Sequence, residues 1–79
     1  MMNKQNEGRF KQLGLNIQYY RKMKGMTQQD LADACQLSRT QIGVIENPNI
    51  PRSTTLGTLL DIAEALGVEV TKLFDFKEV

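Results

Sequence analysis

The chain has 79 residues, a single cysteine, no histidine and a formal net charge of +1. This length allows one small domain, whose core is marginal unless a disulfide, a metal or a partner chain reinforces it. One cysteine excludes an intrachain disulfide, and without histidine to join it a zinc site is disfavoured, so a partner chain is the expected reinforcement. The lone Cys35, the absence of a signal-peptide pattern and the lack of a long apolar run indicate a cytoplasmic protein with no membrane association.

The charges nearly cancel but are unevenly distributed. Residues 1–29 carry six basic side chains against one acid, whereas residues 53–79 carry five acids against two lysines. One interpretation is an ordinary solvated surface. The other is a basic face opposite an acidic face, which would steer a polyanion toward the protein.

The first predicted element is an amphipathic helix over residues 10–24. Leu13 and Ile17 recur at helical spacing, and Gly25 supplies a stop. We expect residues 1–9 to form a flexible N-terminus.

Two helix-start signals follow in close succession. Thr27 is a good N-cap with Asp30 at the third position of a capping box, and Ser38 is a second N-cap. Only Gln36 and Leu37 separate the end of one predicted helix from the cap of the next. Two short helices joined by so tight a turn form a helix-turn-helix, in which the second helix is set at a steep angle to the first.

The remaining elements are bounded by proline and glycine. The third helix must end near Glu46 because the residue before Pro48 is pushed out of helical geometry. After a loop over residues 47–55, Thr55 can cap a fourth helix that stops at Gly67, and a last short helix follows. The pattern predicts an all-α fold.

Taken together, these signals resemble the phage-repressor and Cro type of helix-turn-helix regulators, also called the xenobiotic-response-element family. The similarity runs from Leu13 to Phe74. It is carried by Arg21, Gly25, Met26, Thr27, Gln28, Leu31, Ala32, Ser38, Ile42, Ile45, Glu46, Leu56, Leu59, Ala63, Leu66, Gly67, Val68, Leu73 and Phe74.

The resemblance implies a compact five-helix, lambda-repressor-like domain over residues 10–76 with a C-terminal tail at residues 77–79. It implies sequence-specific binding of double-stranded DNA by a small transcriptional regulator, a repressor by expectation, with the third helix in the major groove. It also implies a homodimer that pairs through the C-terminal helices and binds a two-fold-symmetric operator.

The resemblance further assigns DNA contacts to individual positions. Gln28 and Ser38 would meet the phosphate backbone, and Gln28 would also brace the third helix. Base edges would be met by Arg39, Thr40, Gly43 and Val44; flanking backbone contacts would come from Gln41 and Asn47, and a backbone or minor-groove contact from Arg52.

Arg39 is the leading candidate for reading a base. Its guanidinium can donate two parallel hydrogen bonds to O6 and N7 of a guanine, whereas Thr40 and Val44 could pack their methyl groups against a thymine methyl. Without the resemblance, Arg39 and Gln41 would equally be ordinary solvent-facing residues, and Gln28 an ordinary helix-surface glutamine.

Two further positions stand out. An interior helical glycine such as Gly43 costs about 1 kcal/mol relative to alanine; either a side chain there would collide with DNA, or the position is simply tolerant. Gln36 occupies a turn position where the family usually has glycine, so it must adopt a left-handed backbone or the turn must differ.

In the family, Arg21 and Glu46 meet as a structural ion pair between the first and third helices.

Enzyme functions are disfavoured by composition. The chain lacks histidine for acid–base catalysis, a nucleophile pair, a glycine-rich phosphate loop and a metal-ligand cluster of carboxylates, so we expect no catalysis, cofactor, metal or small-molecule ligand. The alternative function is an antitoxin-like or adaptor module whose main partner is another protein. Such modules commonly carry an extended partner-binding segment, and this chain offers only short ends outside the predicted domain.

Overall fold

The computed structural model describes residues 3–50 and 53–76, and the described residues form five α-helices without a strand. These are α1 (Lys4–Met23), α2 (Gln28–Cys35), α3 (Arg39–Glu46), α4 (Leu56–Leu66) and α5 (Val70–Leu73). The predicted all-α, five-helix architecture is confirmed. Arg52 and the predicted tail at residues 77–79 lie outside the described residues.

The first helix begins earlier than the sequence pattern predicts. The predicted start at Phe10 is wrong, because α1 begins at Lys4 and residues 4–9 of the expected flexible segment are helical. Asn3 caps this helix, with its side-chain oxygen accepting a hydrogen bond from the backbone N–H of Asn6 at 2.9 Å. The added turns are largely polar, so they carry no apolar periodicity by which they could be recognised.

The helix-turn-helix forms where the two capping signals predict it. Thr27 and Asp30 make a reciprocal capping box at the start of α2, and Ser38 and Gln41 make another at the start of α3. Between them Gln36 has a φ of 58°, the left-handed conformation expected if the turn keeps its usual geometry without glycine.

The core lies where α1, α2, α3 and α4 meet. Ile17, Leu31, Ala32 and Ile42 are fully buried there, so each of the first three helices contributes an inward stripe. The other buried apolar residues are Leu13, Leu59, Ile62, Ala63, Leu66 and Leu73. Because α2 and α3 are too short to be stable alone, this shared core fixes their orientation.

Side chains from α1 and from Lys24, the residue that follows it, hold the C-terminal part of the domain in place. The Asn16 amide donates hydrogen bonds to the carbonyl oxygens of Leu73 at 3.0 Å and Asp75 at 3.2 Å. The Lys24 ammonium donates to the Ala65 carbonyl at 2.9 Å, near the end of α4. These bonds tie the start of the chain to the end of α4 and to the region around α5. No helix in the described part of the chain is long and apolar enough to cross a bilayer.

Candidate nucleic-acid interface

Helix α3 presents one face to the core and the opposite face to solvent. Ile42 and Glu46 are buried, whereas Arg39, Thr40 and Gln41 are exposed. Gly43 and Val44 are half-buried and complete the outward side. The structure thus brings the predicted base-reading positions together on a single helical surface.

A shallow groove runs beside this outward face. It is lined by Thr40, Gln41, Val44, Ile45, Ser53 and Thr54. The Ser53 and Thr54 side chains bring hydroxyl groups to its edge from the segment before α4. Sequence reasoning missed these two residues as part of the site, and the signal available was the polar run that precedes the Thr55 cap.

A buried carboxylate anchors the opposite side of α3. Glu46, only 1% exposed, accepts hydrogen bonds from Arg21 Nε at 2.6 Å and from Arg21 Nη2 at 3.0 Å. The Arg21 Nη1 group also donates to the Met26 carbonyl at 2.7 Å. This ion pair joins α1 to the end of α3 and to the connection before α2, and its hydrogen bonds compensate the burial of both charges.

Gln28 also binds the Glu46 carboxylate. Its side-chain amide donates a hydrogen bond to Glu46 Oε1 at 3.2 Å, so the first residue of α2 is tied to the last residue of α3. The half-buried Gln28 side chain therefore has a structural partner inside the protein. We call Arg21, Gln28 and Glu46 the anchor cluster.

Two glycines differ in how closely they are packed. A Cβ added at Gly14 in α1 would collide with the Ile45 carbonyl oxygen, so the close approach of α1 and α3 requires glycine there. A Cβ at Gly43 would meet only Gln28 Oε1, at an ordinary 3.8 Å. Packing within the described residues therefore does not explain Gly43, whereas it does explain Gly14, which sequence reasoning missed.

The capping residues keep hydrogen-bonding capacity for a ligand. Ser38 Oγ accepts from the Gln41 N–H at 3.1 Å, and Gln41 Oε1 accepts from the Ser38 N–H at 2.8 Å. The Ser38 hydroxyl hydrogen and the Gln41 amide hydrogens can still be donated outward. Asn47 uses its side-chain oxygen to accept from the Asn49 N–H at 2.9 Å, which leaves its amide hydrogens available.

Two groups near the helix-turn-helix have shifted pKa values, and each shift has a local cause. Hydrogen bonds from Thr27 lower the pKa of Asp30, which favours the carboxylate at the start of α2. Burial raises the pKa of the Cys35 thiol, with a smaller contribution from Asp61, so the uncharged thiol is favoured. Within residues 3–50 and 53–76, no three His, Cys, Asp or Glu side chains are grouped as metal ligands.

Sequence comparison finds a matching family model and a related control protein. A helix-turn-helix family model matches residues 17–73. The control protein C.SmaI of Serratia marcescens is 39% identical over 61 residues, covering 77% of this chain and 70% of that protein.

Solved structures agree with this relationship. The restriction-modification controller protein C.AhdI from Aeromonas hydrophila superposes with a TM-score of 0.76 at 31% identity, covering 82% of this chain and 96% of that one. The wild-type restriction-modification controller protein C.Esp1396I gives a TM-score of 0.72 at 35% identity, covering 84% of this chain and 83% of that one. The chain belongs to the helix-turn-helix family of phage-repressor-type transcription regulators.

Proposed function

We propose that this protein is a dimeric regulator that binds double-stranded DNA sequence-specifically, with α3 in the major groove. The observation that carries the proposal is the contrast across α3: the anchor cluster holds one face, while the opposite face is presented to solvent. A helix held in this way can enter the major groove without rearrangement of the domain.

Base reading is assigned to the outward face of α3. Arg39 stands at the first position of the helix, where its exposed guanidinium can reach a guanine. Thr40 and Val44 supply methyl groups for a thymine, and Gly43 lets the helix approach the base edges closely. This arrangement places the longest side chain at the helix start and the shortest in its middle.

Backbone contacts are assigned to the two ends of α3. Ser38, Gln41 and Asn47 have donor hydrogens left over from capping, and these suit phosphate oxygens. Gln28 contributes chiefly by bracing α3 through Glu46. Arg52, outside the described residues, remains assigned to the backbone or minor groove by the family resemblance.

A homodimer through the C-terminal helices is supported by exposed apolar side chains on α4 and just after α5. Leu56 and Leu60, one turn apart on α4, are 62% and 47% exposed, and Phe74 is also exposed. A second copy packed on Leu56 and Leu60 would bury them and reinforce the small core. Two-fold symmetry would then place two copies of α3 on half-sites about 34 Å apart.

The relatives suggest what is regulated. C.AhdI and C.Esp1396I are named as restriction-modification controller proteins. We propose that this chain likewise controls transcription of restriction-modification genes, acting as a repressor at its site and residing in the cytoplasm. The lone, uncharged Cys35 thiol suits a reducing compartment.

The decisive experiment is selection of bound duplexes from a random library, followed by fluorescence anisotropy on the selected site and a scrambled duplex across a salt series. We expect a two-fold-symmetric site, and an Arg39→Ala variant should lose about 1–3 kcal/mol of binding free energy and relax one position of the site. The matched control is Arg9→Ala, which removes an exposed arginine from α1 and should leave the base preference unchanged.

Equal, weak binding to both duplexes would contradict the proposal and favour the adaptor or antitoxin-like alternative. The dimer is tested separately by light scattering. We expect a dimer mass for the native chain and a monomer mass for the Leu56→Ser, Leu60→Ser double variant, with Leu15→Ser on α1 as an exposed control that stays dimeric.

A further inference from the structure

A line of exposed apolar side chains runs along the outside of α1. Leu15, Tyr19 and Met23 are 40%, 58% and 68% exposed, although each is a large apolar or aromatic residue. They are spaced four residues apart, so they lie on one side of the helix and extend over about 12 Å of its length. We call these three residues the α1 stripe.

The stripe lies on the side of α1 opposite to the face that packs on the core. Leu13, Gly14, Ile17 and Arg21 are the buried residues of this helix, and Gly14 is the one in closest contact with α3. Residues 15, 19 and 23 project about 180° from the centre of that buried face at 100° per residue. Helix α1 therefore lies between the stripe and α3, and the stripe points away from the proposed DNA surface.

Positive charge borders the stripe. Lys11 and Lys22 are exposed on its flank, and Lys22 lines a shallow depression together with Leu15, Gln18, Tyr19 and Met23. Every charged residue from Gly8 to Gln29 is basic. On the other flank, Lys72 and Asp75 border a second depression beside Tyr19. The surface thus combines an apolar centre with one basic flank, formed by Lys11 and Lys22, and one flank of mixed charge.

We propose that the α1 stripe docks an acidic amphipathic helix of another protein. An apolar line two turns long matches the apolar face of a partner helix, and the flank with Lys11 and Lys22 complements acidic residues beside that face. DNA fits less well, because phosphates would not bury Leu15, Tyr19 or Met23. A second copy of this chain is already assigned to the exposed face of α4, on a different helix.

This inference does not depend on DNA binding. Because the stripe and the outward face of α3 lie on opposite sides of α1, the partner helix and DNA can bind at the same time. A partner docked there would give a chain of this size a contact to other proteins while the reading helix is occupied.

The test uses the full chain and two labelled helical peptides of about 15 residues that share one leucine stripe. One peptide carries glutamates on both flanks and the other carries lysines. By fluorescence anisotropy we expect the acidic peptide to bind at least about tenfold more tightly than the basic one. The Tyr19→Ser, Met23→Ser double variant should weaken the acidic peptide by at least about tenfold, and Lys22→Glu should weaken it most at low salt.

Matched controls test whether the loss of binding is specific to the α1 stripe or follows from any loss of an exposed apolar or positively charged side chain. Ile50→Ser removes a similarly exposed apolar residue elsewhere, and Lys4→Glu reverses a charge at the far end of α1; both should bind the acidic peptide as the native chain does. Circular dichroism verifies that each variant is folded. Addition of the selected duplex should leave the peptide bound, and this arm is the only one that requires DNA binding.

Three results would overturn the proposal. Equal binding of the two peptides would remove the role of charge. Displacement of the peptide by the duplex, together with weaker duplex binding by Lys22→Glu, would assign the stripe to DNA. A change of mass in light scattering on substitution of Tyr19 and Met23 would assign the stripe to contacts between copies.

Discussion

The two faces of α3 are built in different ways. The inner face is fixed by Glu46, which is bonded to Arg21 and Gln28, and by the tight approach of Gly14. On the outer face, Arg39 and Thr40 are exposed. The inner face uses charge and close packing, whereas the outer face uses side chains that can be exchanged without disturbing the core.

The inner face therefore sets the orientation of α3, and the outer face is available for DNA recognition. Substitutions on the inner face should alter stability, because they leave buried groups uncompensated or force helices apart. Substitutions on the outer face should alter DNA recognition with little effect on stability. Variants of Glu46, Gly14 and Gly43 test whether the two faces are independent in this way.

The largest effect is expected at Glu46. Glu46→Ala leaves the Arg21 guanidinium buried without its carboxylate, which should lower the free energy of unfolding by about 3–5 kcal/mol. Urea denaturation followed by circular dichroism measures this loss. The control Glu64→Ala removes an exposed acid from α4 and should change stability by less than about 0.5 kcal/mol. Similar values for both variants would show that the anchor cluster does not hold α3.

The next effect is expected at Gly14. Gly14→Ala forces α1 away from the Ile45 carbonyl and should cost about 1–3 kcal/mol, as overpacked sites do. Gly8→Ala in the same helix is a matched control, because a Cβ there meets nothing within 4 Å. It should stabilise the protein by up to about 1 kcal/mol. If Gly14→Ala were also stabilising, the two helices would have room to separate at no cost.

Gly43 tests the outer face directly. Gly43→Ala should raise the free energy of unfolding by up to about 1 kcal/mol, because alanine is the better helix former and the added Cβ has space. The same variant should weaken binding to the selected duplex, whereas Gly8→Ala should not. Unchanged DNA binding would mean that Gly43 is a tolerant position and not part of the reading surface.

The smallest effect is expected in the pH dependence of stability, in which the start of α2 should differ from the start of α3. The capping box of α2 contains the Asp30 carboxylate, whereas that of α3 contains the Gln41 amide, which does not titrate. Because the fold lowers the pKa of Asp30 from its ordinary value of 3.8, its stabilising contribution is present above that value and is lost as pH falls through the lowered pKa. Urea midpoints measured from pH 5 downward should therefore fall less steeply for Asp30→Asn than for the native chain. Identical slopes would contradict this assignment.

Local signals predicted most of the helix boundaries. Thr27, Ser38 and Thr55 cap their helices, and Gly67 ends α4 in a left-handed conformation. Such signals act over three or four residues and are readable without knowledge of the fold. The start of α1 was missed because its first turns are polar, and Asn3 was not recognised as the cap.

The predicted site came partly from the residues and partly from family resemblance. Periodicity and capping predicted where α3 would lie, but the assignment of Arg39 and Val44 to base edges rested on the resemblance and stays a prediction. The bond between Gln28 and Glu46 could not be foreseen in detail, because it depends on two helix ends meeting in space.

The sequence by itself determined the number and order of the helices, the tight turn at Gln36 and the side of α3 that turns inward, because capping signals and apolar periodicity can be read from residues close together in the chain. Only the tertiary structure decided that Gly14 must be a glycine, that Gln28 shares the carboxylate of Glu46 and that the α1 stripe stays uncovered by the described residues. These features arise where helices far apart in sequence approach or fail to cover one another. Local propensity carries no information about such distances.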